Sequence, residues 1–298
     1  MTLYFTSLGY NNTNNCHLNK QKYLFRKNRD SSVLEKWKTG EYGCSSDISY
    51  EDFKASLLQL AIPRKEINYL AYCSQKLDFP NSPVPSLKIK NDCQLTDAFV
   101  FSVSGNGNLS PLYALESLCA LLTAEKNEHS LLITSDHPVL IDGISSRNYY
   151  PFFLSNTFNY ISTKSGMFQI EDINLHLNER TDAKSNNRRT LEKILESFLK
   201  EEVIGGGKWI LPNENKNFII LQQFSNTCSA FVKDFLSSST QYQFFRREKH
   251  AHTNLLSSDL FFSLNELISK KKIKKGDCVT LIFADYNRGV GSLRLSKL

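Results

Sequence analysis

Residues 105–136 read GNGNLSPLYALESLCALLTAEKNEHSLLITSD, and residues 254–285 read NLLSSDLFFSLNELISKKKIKKGDCVTLIFAD. Both continue from small and polar residues into apolar residues at helical spacing. In the first these are Leu109, Leu112, Leu115, Leu118 and Leu122; in the second, Leu260, Phe261, Leu264, Leu267 and Ile268. Each stretch then crosses a charged linker into an apolar strand that ends on an aspartate. Leu109 to Asp136 and Ser258 to Asp285 both span 27 positions, and Gly105 and Asn254 each stand 31 positions before their aspartate. A repeat of this length is a supersecondary unit used twice, so the chain has two similar halves. It places Gly105 and Asn254 at equivalent helix N-termini. Helix N-termini stabilise negative charge, so a facing pair is a natural reaction centre.

Outward from the repeat, helices and strands alternate, which predicts an α/β protein. Ser49 with Asp52 predicts a helix start; Phe53, Leu57 and Leu60 share one face, and Pro63 ends it. Residues 67–73, 98–103 and 130–135 read as strands, with a turn at 104–107 leading into the first repeated helix. A polar connection at 178–189 precedes a helix carrying Leu191, Ile194, Leu195, Phe198 and Leu199. A strand at 216–221, a helix at 227–236 and a strand pair at 278–284 and 290–295 complete the reading. The halves are placed at 1–170 and 171–298.

The 298 residues are 41% apolar and 22% charged, which excludes global disorder. No apolar run is long enough to span a bilayer, and the first residues lack a basic, cleavable leader; a soluble, cytoplasmic protein is expected. The seven cysteines are scattered without a CxxC pair, so neither a disulfide framework nor a metal site is predicted. The net charge of +6 concentrates at Arg246, Arg247 and Lys249 and at Lys270, Lys271 and Lys272 within the run 270–275. Such clusters are solvated turns or contacts for an acidic partner such as an acyl carrier protein; no nucleic-acid-binding signature accompanies them. Glycine numbers only 13, fewer than the roughly 7% of an average chain, which argues against glycine-rich loops that cradle phosphates or oxyanions.

From about Ser49 onward the pattern resembles the thiolase-like condensing enzymes, in particular the ketoacyl-acyl-carrier-protein synthase III group. The resemblance rests on residues 50–62 and 67–74, on Thr96-Asp97-Ala98-Phe99, on the strand 131–136 that ends in Asp136, and on Lys275-Gly276-Asp277. It implies a thiolase-like fold, α/β, with two pseudo-equivalent halves in an α-β-α-β-α layered arrangement. In that family a helix-tip cysteine takes the acyl group as a thioester, while a histidine and an asparagine stabilise the enolate that attacks it. Position by position, the cysteine falls on Gly105 and the following glycine on Gly107. The histidine falls on Gln222, and the asparagine on Asn254. Glycine has no nucleophile, and glutamine lacks the protonation states of imidazole. The family's glycine-rich segments fall on residues 155–160 and 283–287, which contain no glycine; bulkier residues there should close the space.

The expectation is a catalytically empty site: a non-catalytic synthase III-like subunit that pairs with an active condensing enzyme in a heterodimer and shapes its acyl tunnel. The setting would be fatty-acid or polyketide-type secondary metabolism, with acyl carrier protein or acyl-CoA engaged through the partner, and without cofactor, nucleic acid or membrane. Ser104 is the alternative nucleophile for an independent acyltransferase, with His250 or His252 as its base; a scaffold protein with a recycled fold is a third reading. His250 and His252 also make a two-residue metal pair, but no third ligand is evident. Cys119 lies mid-helix among leucines and is expected to be inert packing, and His137 to cap a strand end.

Overall fold

The computed structural model describes residues 1–11, 50–74, 85–125, 128–136, 155–177, 188–204, 215–223, 226–237, 242–249, 254–285 and 288–298. The first half comprises β1 (Tyr4–Asn11), α1 (Tyr50–Gln59), β2 (Tyr69–Cys73), α2 (Pro85–Asp92), β3 (Phe99–Val103), α3 (Ser110–Glu125), β4 (His129–Ser135) and β5 (Asn156–Ser162). The second comprises β6 (Phe168–Leu177), α4 (Arg188–Phe198), β7 (Asn217–Leu221), α5 (Asn226–Leu236), β8 (Tyr242–Phe245), α6 (Asp259–Ser269), β9 (Cys278–Asp285) and β10 (Gly289–Lys297).

The ten strands are ordered β3-β2-β4-β5-β1-β6-β10-β9-β7-β8. Read inward from either edge the order is the same, with five added to each label. Pairing repeats as well: β2 runs parallel to β3 and β4 as β7 does to β8 and β9, while β5 and β10 are antiparallel to their neighbours. The two strand sets meet where Tyr4 and Phe5 pair with Gln169 and Phe168. The turn 163–167 separates them along the chain.

Side-chain alternation along the strands builds the layers. Tyr69, Ala71 and Cys73 of β2 and Phe218 and Ile220 of β7 face a central cluster that contains α3 and α6. Leu70 and Tyr72 face α1 and α2 on one outer side. Ile219 and Leu221 face α4 and α5 on the other. The result is helix, sheet, helix, sheet, helix, the arrangement expected from the sequence. Leu112, Leu115, Leu118 and Leu122 of α3 and Leu260, Phe261, Leu264 and Leu267 of α6 are buried there, which is why the repeated helices are so apolar.

Several boundaries differ from the sequence reading. Helix α1 ends at Gln59, short of Pro63; the pre-proline restriction accounts for Ile62 and not for the two residues before it. A 3-10 turn, Gly107–Leu109, precedes α3, and another, Leu256–Ser258, precedes α6. Strands β1, β5, β6 and β8 and helix α2 are additions to the reading. Ser49, Asp52's side chain and the connection at 178–187 lie outside what the structure describes.

Helix α3 rests on β10 at Gly291, where an added Cβ would meet Leu112 Cδ2 at 2.5 Å and the Asn174 carbonyl oxygen at 2.7 Å. Gly291→Ala should therefore lower the unfolding free energy by about 1–3 kcal/mol, measured by urea denaturation; an unchanged midpoint would show that α3 can lift without penalty.

Candidate functional site at the paired helix tips

Two turns bring the sequence-predicted residues together. On the α3 side, half-buried Ser104 leads into Gly105 at φ +81° and Gly107 at φ +57°, conformations open to glycine and strained for other residues. Gly105 is exposed, with open space where a side chain would project, whereas a Cβ at Gly107 would run into the Asp285 carboxylate. That carboxylate accepts the Asn108 backbone N–H at 3.1 Å, and the Asn108 side chain donates to the Ala284 carbonyl at 3.1 Å.

On the α6 side the arrangement repeats with the halves exchanged. Asp136, at the end of β4 in the first half, accepts the Ser257 backbone N–H at 2.8 Å and also the Ser257 hydroxyl. Asn108 and Ser257 are equivalent positions of the repeat. Each aspartate thus reaches across and holds the entry turn of the other half's central helix, where a carboxylate meets unsatisfied N–H groups and the positive end of the helix dipole.

Gln222 follows β7 and is buried. Its Nε2 donates to the Leu256 carbonyl at 2.7 Å and to Asn254 Oδ1 at 3.2 Å; Asn254 Oδ1 also accepts the Leu256 N–H at 2.9 Å. These bonds hold Leu256 at φ +55°. Gln222 and Asn254 are therefore neighbours, and the glutamine amide protons are directed at protein acceptors. An amide in that role neither accepts nor delivers a proton near neutral pH.

Beneath this pair lies a network the sequence did not disclose. Asp259 opens α6 and accepts the Leu255 N–H at 2.8 Å, the Gln223 N–H at 2.9 Å and Arg247 Nη2 at 2.7 Å. Arg247 also donates to the Asp259 carbonyl and Ser263 Oγ, and its guanidinium lies over the Phe262 ring. At 1% exposure Arg247 cannot meet an outside partner, which removes it from the carrier-protein contacts expected at 246–249. Lys270 is engaged inside the protein, with Glu248 at 2.7 Å and Glu266 at 2.8 Å, while Lys249, Lys271 and Lys272 are exposed. Arg246 is partly buried.

The segment expected to replace a glycine loop at 155–160 is strand β5. Ser258 Oγ bonds to the Ser155 carbonyl at 2.7 Å and to Thr134 Oγ1 at 2.8 Å, and Thr134 Oγ1 bonds to Thr157 Oγ1 at 2.6 Å. The α6 tip is thus seated on a buried hydroxyl cluster. His137, His250 and His252 lie outside the described residues, so no base for Ser104 is assigned. Among the described residues no three His, Cys, Asp or Glu side chains converge as metal ligands, and no helix is long and apolar enough to cross a membrane.

Burial pushes the Cys119 thiol up to about 12, with Glu116 adding to the effect. Burial likewise raises Cys73 well above the ordinary thiol value, and Cys93 to about 11. The thiolate is the reactive form. Native protein treated with iodoacetamide at pH 7.5 should keep all three unmodified by peptide mass mapping and lose that protection in urea; rapid native labelling of Cys119 would contradict its role as packing.

No protein-family model and no curated protein matches the sequence. Solved structures do match. An acyltransferase designated ChlB3 aligns over 100% of this chain and 98% of its own, with 12% identity and a TM-score of 0.73. The 3-oxoacyl-(acyl carrier protein) synthase III, FabH, of Pseudomonas aeruginosa PAO1 aligns over 100% and 98%, with 13% identity and a TM-score of 0.69. A variant of Xanthomonas campestris OleA aligns over 99% and 98%, with 12% identity and a TM-score of 0.70. The architecture of this chain is therefore the thiolase fold of the synthase III and OleA proteins.

Proposed function

We propose that this chain is a non-catalytic ketoacyl synthase III-like subunit that pairs with an active condensing enzyme in the cytoplasm. There it shapes the partner's acyl tunnel in fatty-acid or polyketide-type secondary metabolism. The observation that carries the reading is the helix-tip site: bare glycine backbone at the position the resemblance gives to an acyl-accepting thiol, and, at the position it gives to histidine, a glutamine whose amide is bonded to Asn254 and Leu256. Asp285 adds to it. The synthase III resemblance implies glycine at this position; here a carboxylate occupies the space beside Gly107 and brings negative charge to the α3 tip, where positive potential would favour a thiolate.

The edge of the sheet supports pairing. Strand β3, FVFSV, is outermost, and Phe99 is 62% exposed. Leu87 of the adjacent helix α2 is also exposed. An apolar edge strand without proline or lysine is a template for another strand, and a sheet continued across a subunit boundary would cover it. The active partner would bring the acyl-CoA or acyl carrier protein; this chain would contribute tunnel wall and dimer surface.

Co-expression with a synthase III-type enzyme that retains its Cys-His-Asn set should yield a stable heterodimer by size-exclusion chromatography, with Phe99→Lys/Phe101→Lys weakening it at least tenfold. Recovery of this chain only as a monomer or homodimer would overturn the pairing. The chain alone, incubated with a reactive acyl-CoA, should show no adduct by intact mass; an adduct abolished by Ser104→Ala would establish the acyltransferase instead.

The role of Asp285 can be read with a thiol placed at the tip. Gly105→Cys should fold, because nothing lies within 4 Å of the new Cβ, at a cost of about 1 kcal/mol for the positive φ. Adding Asp285→Asn should lower that thiol's pKa and raise its alkylation rate at pH 7 several-fold. Equal rates in the two variants would show that the carboxylate does not act on the site.

A further inference from the structure

The two basic clusters, 21 or more residues apart in sequence, are one surface in the fold. Buried Glu266 accepts the backbone N–H groups of Glu248 and Lys249 at 2.7 and 3.1 Å and the Lys270 ammonium at 2.8 Å, which ties the segment after β8 to the end of α6. Lys270 and Lys272 both stand over the Phe245 ring. Asp277 then accepts the backbone N–H groups of Lys216 and Lys274, bringing the start of β7 to the same pole. Among the described residues, Glu266 and Asp277 are buried on backbone N–H groups, and exposed Glu248 is paired with Lys270. Lys249, Lys271, Lys272, Lys274 and Lys275 are left exposed.

Lys271 itself is held at φ +50°, just past the C-terminus of α6. Glycine is the usual residue in that left-handed position, and a lysine there carries a conformational penalty. Lysine near a helix C-terminus recovers some stability through the helix dipole, but an ordinary helical position in the last turn would do the same without strain.

We infer that this lysine pole is a docking surface for an acidic protein segment, one carrying several closely spaced carboxylates. Three features choose that partner. None of the large apolar side chains exposed among the described residues belongs to these segments, and Leu298, beside Lys297, is a single leucine at their margin, too little to anchor in a bilayer. The exposed cations are lysines, point charges suited to carboxylates, and the described residues of these segments expose no aromatic platform on which bases could stack. The surface already receives a carboxylate, since Glu248, 78% exposed, is held there by Lys270. Helix α6 has 11 residues, so its two ends lie roughly 16 Å apart, with the helix-tip site at one and the lysines at the other. The surface recruits a partner from the side opposite Asn254. The inference does not rest on the proposed silent-subunit function.

The test uses the whole chain and three probes at 100 mM salt: a 20-residue glutamate-rich peptide, phosphatidylglycerol vesicles and a 20-base-pair DNA duplex. Peptide binding should be the strongest, weaken as salt rises, and fall about tenfold in Lys271→Gln/Lys272→Gln/Lys275→Gln. The control Lys65→Gln/Lys193→Gln/Lys233→Gln removes the same charge elsewhere and should bind as the wild type does. Lys271→Gly should raise the thermal midpoint by ~2 °C while weakening the peptide, separating docking from folding. Equal losses in the two triple variants, absence of peptide binding, or tighter binding to vesicles or DNA would each overturn the inference.

Discussion

The two carboxylates that cross between the halves hold the centre of this protein. Asp285 binds the turn that leads into α3, Asp136 the turn that leads into α6, and each belongs to the half opposite the helix it secures. A helix N-terminus buried between two sheets leaves backbone N–H groups that water cannot reach, and an unsatisfied buried donor costs about 1–3 kcal/mol. The crossing answers that demand at both tips, and the two 3-10 entry turns touch each other. Gln222 and Asn254 stand bonded together at one of these tips, and Gly105 leads into the turn at the other.

Around those tips polar groups are paired in layers. The Arg247–Asp259 pair is sealed from water, and the energy of desolvating two charges is offset only because every oxygen of Asp259 has a donor. Thr134, Thr157 and Ser258 join the α6 tip to β4 and β5 through hydroxyls. Many of the site's donors and acceptors are thus directed at one another, while Ser110 Oγ, Ser155 Oγ and Gln223 Oε1 are buried without a hydrogen-bond partner among the described residues.

Much of this was legible in the residues. The equal spacing of the two helix-strand-aspartate units revealed the duplicated architecture, and apolar periodicity located α3, α6 and the strands β2, β4, β7 and β9. The aspartates at the repeat ends were visible, but their crossing was not, because local spacing says nothing about which half a side chain will reach. Strand β5, NTFNYIS, escaped detection because Asn156, Thr157 and Asn159 are buried polar residues, the last two hydrogen-bonded to each other, and break the apolar pattern of a core strand. Arg247 was placed among surface cations by the same logic that serves nearly every arginine; only its partner Asp259, 12 residues on, overrides it. Strands β1 and β8 lie at positions without a counterpart in the apolar pattern from which the reading began.

The wedge formed by Asp285 also bears on how the α3 turn could change. A side chain introduced at 105 would find open space but strain the positive φ there, and removing the Asp285 carboxylate would uncap Asn108. Either change alone is a loss, and Gly107 cannot enlarge while Asp285 stands against it. Asp285 and Gly107 are therefore locked to each other: neither can change alone without loss, so selection acting on one position at a time would keep both.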